Sequence, residues 1–367
     1  MAERLGIYVH VPFCLSRCVY CAFCSSTDMK RVDAYLSRVG EDMRRSSVYA
    51  SAPSTVYVGG GTPSALGLEG LGRLLDTISD SFDLSGLTEY TVECNPDDVT
   101  PALASVLSRH GVTRVSMGVQ SLNDDMLRLL NRRHDSSEVL AAISALRSVG
   151  IDNISVDIIF GLPKVEGYDL GEDLEKFVAL DVQHLSAYAL TVEESTPLDR
   201  LVSKGAVRLR DDDEVAEDYE RVTRTLRSAC FLHYEISNYA LPGRMAVHNT
   251  SYWQRVPYYG FGPAAASFVG RRRWTNTTDV AAYCAGGGSL VEEELTEAEI
   301  DEEIVMLSLR TSMGLDVAQL SEAARREIAP KVEREMADGF LERTETGNVR
   351  IPERHWLISN AILCRLI

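Results

Sequence analysis

Three cysteines stand close together in Cys14-Leu-Ser-Arg-Cys18-Val-Tyr-Cys21, just after the strand-like run Tyr8-Val9-His10-Val11-Pro12-Phe13. Thiols this close ask for a soft metal before they ask for a disulfide. Spacings of three and then two residues fit a loop wrapped around one compact iron–sulfur cluster. A cubane [4Fe–4S] cluster normally takes four thiolates, so Cys14, Cys18 and Cys21 leave one iron open to another ligand. A zinc knuckle is the competing arrangement, with Cys24 as its fourth ligand. The remaining cysteines, Cys94, Cys230, Cys284 and Cys364, are scattered singly, as small core residues are.

Other polar groups sit where strands should end. Gly59-Gly60-Gly61-Thr62-Pro63 follows one strand-like run, Glu93-Cys94-Asn95-Pro96 the next, and Gly118-Val119-Gln120-Ser121 the one after. Asn131-Arg132 comes shortly afterwards, and Asp157 precedes Gly161-Leu162-Pro163. The glycine run lacks the lysine a phosphate loop would need. Glu93, Gln120, Arg132 and Asp157, facing one cavity, can bind a zwitterion and a ribose diol.

The elements that position these groups alternate between β-rich runs and amphipathic helices up to about residue 190, the mark of βα units on a parallel sheet. Strands are predicted at Gly6–Val11, 55–58, 89–92, 114–117, 153–159 and 184–190. Reactive groups gather at the carboxyl ends of such strands, which is where every polar cluster above falls. Six units predict an α/β fold with a partial (β/α)6 barrel of the TIM type, open on one side. Beyond it come a charged helix near 211–232, a loop-rich aromatic segment at 234–274, and helices with a small hairpin after about 295. The break at Gly286-Gly287-Gly288 suggests a first domain at residues 1–290 and a winged-helix-like domain at 291–367.

The cysteine triad, with an aromatic before its third member, resembles the radical S-adenosylmethionine (SAM) family. The words Glu-x-Asn-Pro, Gly-Val-Gln-Ser, Asn-Arg and Asp-x-x-x-Gly-Leu-Pro are similar to its subgroup of anaerobic coproporphyrinogen III oxidase and the heme chaperone HemW. This resemblance implies that SAM chelates the open iron and is split to a 5'-deoxyadenosyl radical. It implies contacts to SAM from Tyr8, the glycine turn Gly60-Gly61-Thr62, Glu93, Gln120, Arg132 and Asp157. His248-Asn249-Thr250-Ser251-Tyr252-Trp253 is similar to the His-Asn-x-x-Tyr-Trp mark of the HemW branch, which implies His248 as a heme ligand, and Arg271-Arg272-Arg273 could meet propionates. Two departures stand out: the extra Cys24, and Gly260-Phe-Gly-Pro-Ala-Ala-Ala266-Ser, which has alanine where HemW-like chains generally include a histidine.

The formal charge of −17, from 54 acidic against 37 basic residues, opposes a general nucleic-acid or anionic-membrane surface. No early apolar run is long enough to span a bilayer, and a cytoplasmic location is expected, or a matrix-like one for a processed organellar form. The resemblance therefore implies a heme chaperone that binds a [4Fe–4S] cluster, SAM and heme, takes electrons from a donor, and delivers heme to acceptors such as respiratory enzymes. A radical decarboxylase of coproporphyrinogen, a methyltransferase of the same subgroup and a degenerate scaffold are the alternatives.

Overall fold

The computed structural model describes residues 4–47, 50 and 52–367. Six parallel strands follow one another in both sequence and space: β1 Gly6–Val11, β2 Thr55–Gly60, β3 Glu89–Cys94, β4 Arg114–Gln120, β5 Asn153–Phe160 and β6 His184–Ala189. Helices cross between them, with α1 Val32–Ser46 after β1, α2 Gly67–Ser81 after β2 and α3 Pro101–Arg109 after β3. After β4 come α4 Asp124–Leu129 and α5 Ser136–Ser148, and after β5 comes α6 Leu170–Ala179. This is the partial barrel the sequence predicts.

The strands alternate strictly, and the two sides of each go to different environments. Ile7, Val9 and Val11, Val56 and Val58, Val115 and Met117, and Ile154 and Val156 enter the main apolar core. The inward positions are polar instead: Tyr8 and His10, Thr55 and Tyr57, Glu89 and Glu93, Arg114 and Ser116, Ser155 and Asp157, His184 and Ser186. Capping sharpens the helices. Asp135 accepts from the Ser137 and Glu138 amides, while the Glu138 carboxylate accepts from the Asp135 amide at 2.9 Å, closing a capping box at the start of α5.

The barrel sheet does not stop at its six strands. On one edge β7 Leu232–Glu235 and β8 Asn238–Ala240 join antiparallel to β6 through β8. On the other, β9 Tyr258–Phe261 runs parallel to β1, followed by the antiparallel strands β10 Ala266–Val269, β11 Arg272–Asn276 and β12 Ser289–Glu294. The aromatic segment expected to be loop-rich carries, between its loops, a short helix and short strands that continue a twelve-stranded sheet. Residue 290, expected as a domain boundary, lies inside β12, and the glycines before it wrap the end of the helix Val280–Cys284, where the Gly287 amide donates to Ala282 O at 2.7 Å. Beyond β12 come the helices Glu297–Ser308 and Glu322–Ala337 and a hairpin of Glu342–Arg343 with Val349–Arg350. Among the described residues no helix is long and apolar enough to cross a membrane.

The short helix Val247–Trp253 packs at the amino end of the barrel. Both oxygens of the buried Glu89 carboxylate cap it, accepting from the Val247 amide at 2.7 Å and the His248 amide at 3.0 Å. Losing this cap leaves two N–H groups without partners at a buried helix end, each worth about 1–3 kcal/mol. Glu89→Ala is therefore expected to lower unfolding stability by about 3 kcal/mol, measured by denaturant titration; a change below about 0.5 kcal/mol would show that water replaces the carboxylate there.

Candidate functional site

At the carboxyl end of the barrel lies a cavity of about 720 Å³, lined by Tyr8, Cys14, Cys18, Cys21, Gly60, Gly61, Thr62, Glu93, Gln120, Arg132 and Asp157. The structure thus brings together every residue the sequence assigns to the cluster and to SAM. It does so by closing the long loop after β1 on its own backbone. Ser26 donates to Pro12 O at 2.6 Å and accepts from the Cys14 amide at 3.0 Å. Further out, Val19 N donates to Leu130 O at 3.2 Å, Leu198 N to Val19 O at 2.9 Å, and Asn131 Nδ2 to Arg17 O at 2.7 Å. Val19 and Tyr20 pack on Met126, Leu130, Ile159 and Leu162, so the apolar residues between the last two cysteines anchor the loop.

The thiols have distinct surroundings. Cys14 Sγ lies 3.4 Å from Thr62 Oγ1, and Arg132 Nη1 donates to Cys18 Sγ at 3.1 Å. Burial pushes the Cys14 and Cys21 thiols up, so metal binding must displace protons from them. Cys24, which a zinc site would need, donates its thiol to Thr278 O at 3.1 Å. All four thiols line the same cavity, and of these only Cys24 is engaged by a carbonyl. Beside it the loop carries Leu15 and Phe23 on the outside, Phe23 with 73% of its surface exposed.

The glycine turn has a steric reason. A Cβ on Gly61 would stand 2.8 Å from Phe13 O, and one on Gly60, whose φ is +114°, would stand 2.7 Å from His10 Nδ1. Close approach to the end of β1 and to the loop after it therefore requires glycine at both. Gly60 N in turn donates to Glu93 Oε2 at 3.0 Å, and Tyr57 OH donates to Glu93 Oε1 at 2.6 Å. Burial raises the Glu93 carboxyl from 4.5 to about 7, with Asp157 adding to the rise and the two hydrogen bonds opposing it. Burial likewise raises Asp157 from 3.8 to about 6. Arg132 also donates to Asn95 Oδ1 and to Gly118 O, which fixes its guanidinium between β3 and β4.

Three non-glycine residues on the cavity wall, Gln120, Asn131 and Ala264, have φ of 73°, 56° and 60°. Left-handed backbone costs such residues roughly 1–2 kcal/mol each, and strain of this kind is found at ligand sites, although Asp181, Ser195, Cys230 and Arg255 share it away from the cavity. Sequence reasoning missed His10, Tyr188 and Ala264, which also line the cavity. The signal for two of them was available: His10 and Tyr188 hold inward positions on β1 and β6.

His248 is the exception among the expected site residues. It lies at the amino end of the strands, 1% exposed, with Thr55 Oγ1 at 2.8 Å from Nδ1 and Tyr252 OH at 2.8 Å from Nε2. Its ring stacks on Tyr57 at 5.2 Å, and burial pushes its pKa down to about 3. As placed, neither nitrogen is free for iron. The arginine run is also engaged: Arg271 donates to Leu295 O, Arg272 pairs with Glu292, and Arg273 pairs with Glu293 and Glu303.

The partial barrel with three cysteines after its first strand defines a radical SAM protein, and residues 8–177 match the model of the Radical SAM superfamily. A heme chaperone HemW from Mycobacterium tuberculosis is 37% identical over 351 residues, covering 93% of this chain and 89% of that protein. One from Bacillus subtilis is 32% identical over 371 residues, covering 97% of each. The chain belongs to the HemW family of radical SAM proteins. In fold it is similar to the coproporphyrinogen III oxidase HemN of Escherichia coli, with a TM-score of 0.84 at 20% identity, covering 99% of this chain and 90% of that one.

The buried carboxyls generate a pH signature. Folding holds the Glu93 proton to about pH 7, whereas the unfolded chain releases it near 4.5. The stability from this group is therefore full below 4.5 and lost as pH rises toward 7. Glu93→Gln removes that loss. Its stability relative to the ligand-free parent is expected to climb by on the order of 2 kcal/mol between those pH values, allowing for screening through the open cavity. Thermal unfolding at a series of pH values checks this, and parallel curves would show that Glu93 is ionised throughout.

Proposed function

We propose that this protein is a heme chaperone of the HemW type, which binds a [4Fe–4S] cluster, SAM and heme and passes heme to an acceptor protein. Cys14, Cys18 and Cys21 would hold the cluster, whose open iron supplies a chelation point and a source of one electron. The single observation that carries the reading is the gathering of those three cysteines with the glycine turn, Glu93, Gln120, Arg132 and Asp157 around one cavity. There the carboxylates of Glu93 and Asp157 would meet a cationic sulfonium and ammonium, or a ribose diol. The Gln120 amide would hydrogen-bond the polar groups of the ligand, and Arg132 would neutralise a carboxylate while keeping its hold on Cys18. Tyr8, hydrogen-bonded to His10 Nδ1 at 3.1 Å, would form part of the wall.

The heme part of the reading is supported by likeness to HemW proteins over nearly the whole chain. Apolar side chains at the cavity mouth, Leu15 and Phe23, are a surface that a porphyrin face can cover. Ligation by His248 would require both of its hydrogen bonds to break. The division into a barrel unit at 1–290 and a winged-helix-like unit at 291–367 belongs to the same proposal, and so do the electron donor and the cytoplasmic setting.

Two experiments test it. On anaerobic reconstitution with iron and sulfide, Cys18→Ala is expected to lose the cluster absorption while Cys24→Ala retains it; loss in Cys24→Ala would make that residue a ligand. In an optical heme titration the reconstituted protein is expected to bind one equivalent and to transfer it to an apo-hemoprotein. Folded His248→Ala is expected to bind heme with unchanged affinity but to be less stable by about 2–4 kcal/mol. A selective loss of heme binding would restore His248 as the ligand, and no binding by a protein that holds its cluster would discard the chaperone reading.

A further inference from the structure

The inside of the barrel contains a cation that the candidate site does not use. Arg114 on β4 is 1% exposed and does not line the cavity, and its Nε and Nη1 have no hydrogen-bond partner. A guanidinium keeps its charge at any ordinary pH, and a charge buried without opposite charge nearby is costly. Something in the barrel must therefore offset it.

The register sets carboxyls on both sides of it, with Glu89 one inward position below on β3 and two more above. Arg114 lies beside Thr91 on β3 and Asn153 on β5. Above it on the inward side of β4 come Ser116, paired with Glu93, and Gly118, paired with Asp157. One inward position rises about 7 Å along a strand, so the two carboxyls stand one and two layers above the arginine, on the strands that flank it. Ser116 is small, which leaves a long side chain room to rise toward Glu93, while the space over Gly118 is taken by Arg132 and Gln120. Burial acts to neutralise the two carboxyls, and Arg114 opposes it in each.

We propose that Arg114 is a positioning residue for the cavity: its guanidinium favours the ionised forms of Glu93 and Asp157 against the effect of burial, and so raises the affinity of the site for a cationic ligand. This rests on the reading that the cavity takes the sulfonium and ammonium of SAM. Arg114 touches no ligand and acts through the carboxylates.

The other groups that face this interior fall on either side of the relevant pH range. His184 from β6 and His248 from the short helix are pushed down by burial first and by Arg114 second, so both are neutral. Tyr57 from β2 and Tyr234 from β7 are pushed up by burial, as are Tyr8 and Tyr188 at the cavity. Arg132 faces Asp157 from the loop after α4 and also lowers it. Glu89, on the inward side of β3, is engaged by the helix amides. Glu235 on β7, raised by burial to about 7, titrates in the same range, so Glu235→Gln serves as the assignment control.

The test reads titration and binding separately. Protein labelled with 13C at its Glu and Asp carboxyls is titrated by NMR without ligand, in the parent, Arg114→Met and Arg114→Lys, with Glu93→Gln assigning the Glu93 signal. In Arg114→Met the Glu93 carboxyl is expected to titrate about one pH unit higher, and in Arg114→Lys to return most of the way. SAM binding to the reconstituted protein, by calorimetry, is expected to weaken about tenfold at pH 7 in Arg114→Met and to recover by about pH 9. An unchanged Glu93 titration in folded Arg114→Met overturns the proposal, as does a loss of SAM binding that no pH restores. If Arg114→Met does not fold, Arg114→Gln, which drops the charge and keeps hydrogen-bonding groups, carries the same test. A shifted titration in a protein whose parent binds no SAM supports the charge-holding role and overturns the SAM reading alone.

Discussion

A barrel built from strictly alternating strands can put its polar side on either face, and here the polar side is inside. That choice governs the rest of the molecule. Ile7, Val9 and Val11 and their counterparts on β2 to β6 face outward and are sealed under α1 to α6, where each fully buried aliphatic side chain contributes about 1.5–3 kcal/mol. The interior receives Arg114, Glu89, Glu93, Asp157, His184 and a set of hydroxyls, groups that a core ordinarily excludes. Burying ions costs several kcal/mol apiece, and here burial acts to neutralise His184, Glu93 and Asp157 while helix amides hold Glu89. The outer apolar layer supplies the stability, and the inner polar layer supplies a site.

The same inversion explains why the two ends of the barrel differ. At the amino end, the short helix Val247–Trp253 brings its first amides to Glu89 and its histidine to Thr55 and Tyr57, satisfying polar groups with protein alone. At the carboxyl end the corresponding groups, Glu93, Gln120 and Asp157, open onto a cavity. The His-Asn-x-x-Tyr-Trp segment is thus a closure of the barrel floor. The strands on either side of it, β8 and β9, extend the sheet at opposite edges, which ties the two open sides of the partial barrel to the same floor.

At the open end the cluster loop is held by backbone rather than by its cysteines. Hydrogen bonds through Pro12, Cys14, Val19 and Ser26, with Val19 and Tyr20 in a small apolar cluster, fix its path. Cys24 lines the same cavity, but its thiol is engaged by Thr278 O.

The sequence determined the alternation, the six strands and the order of polar clusters at their ends, because each is a local pattern with a fixed period. It therefore located the cysteine triad, Gly60, Gly61, Glu93, Gln120, Arg132 and Asp157, and the resemblance they carry. It also contained, unread, the inward places of His10 and Tyr188, which differ from their apolar neighbours by one step of the same period. Only the tertiary structure decided which end of the barrel each polar layer meets. His248 and the aromatic residues around it read as a ligand segment only through their resemblance to the HemW motif. Their place was set by long-range pairing, with Glu89, Thr55 and Tyr57 more than 150 residues away, and no local pattern records such a contact. The charge of Arg114 was visible in the chain from the start. Its importance arises only when six strands close around it and remove the water that would otherwise have screened it.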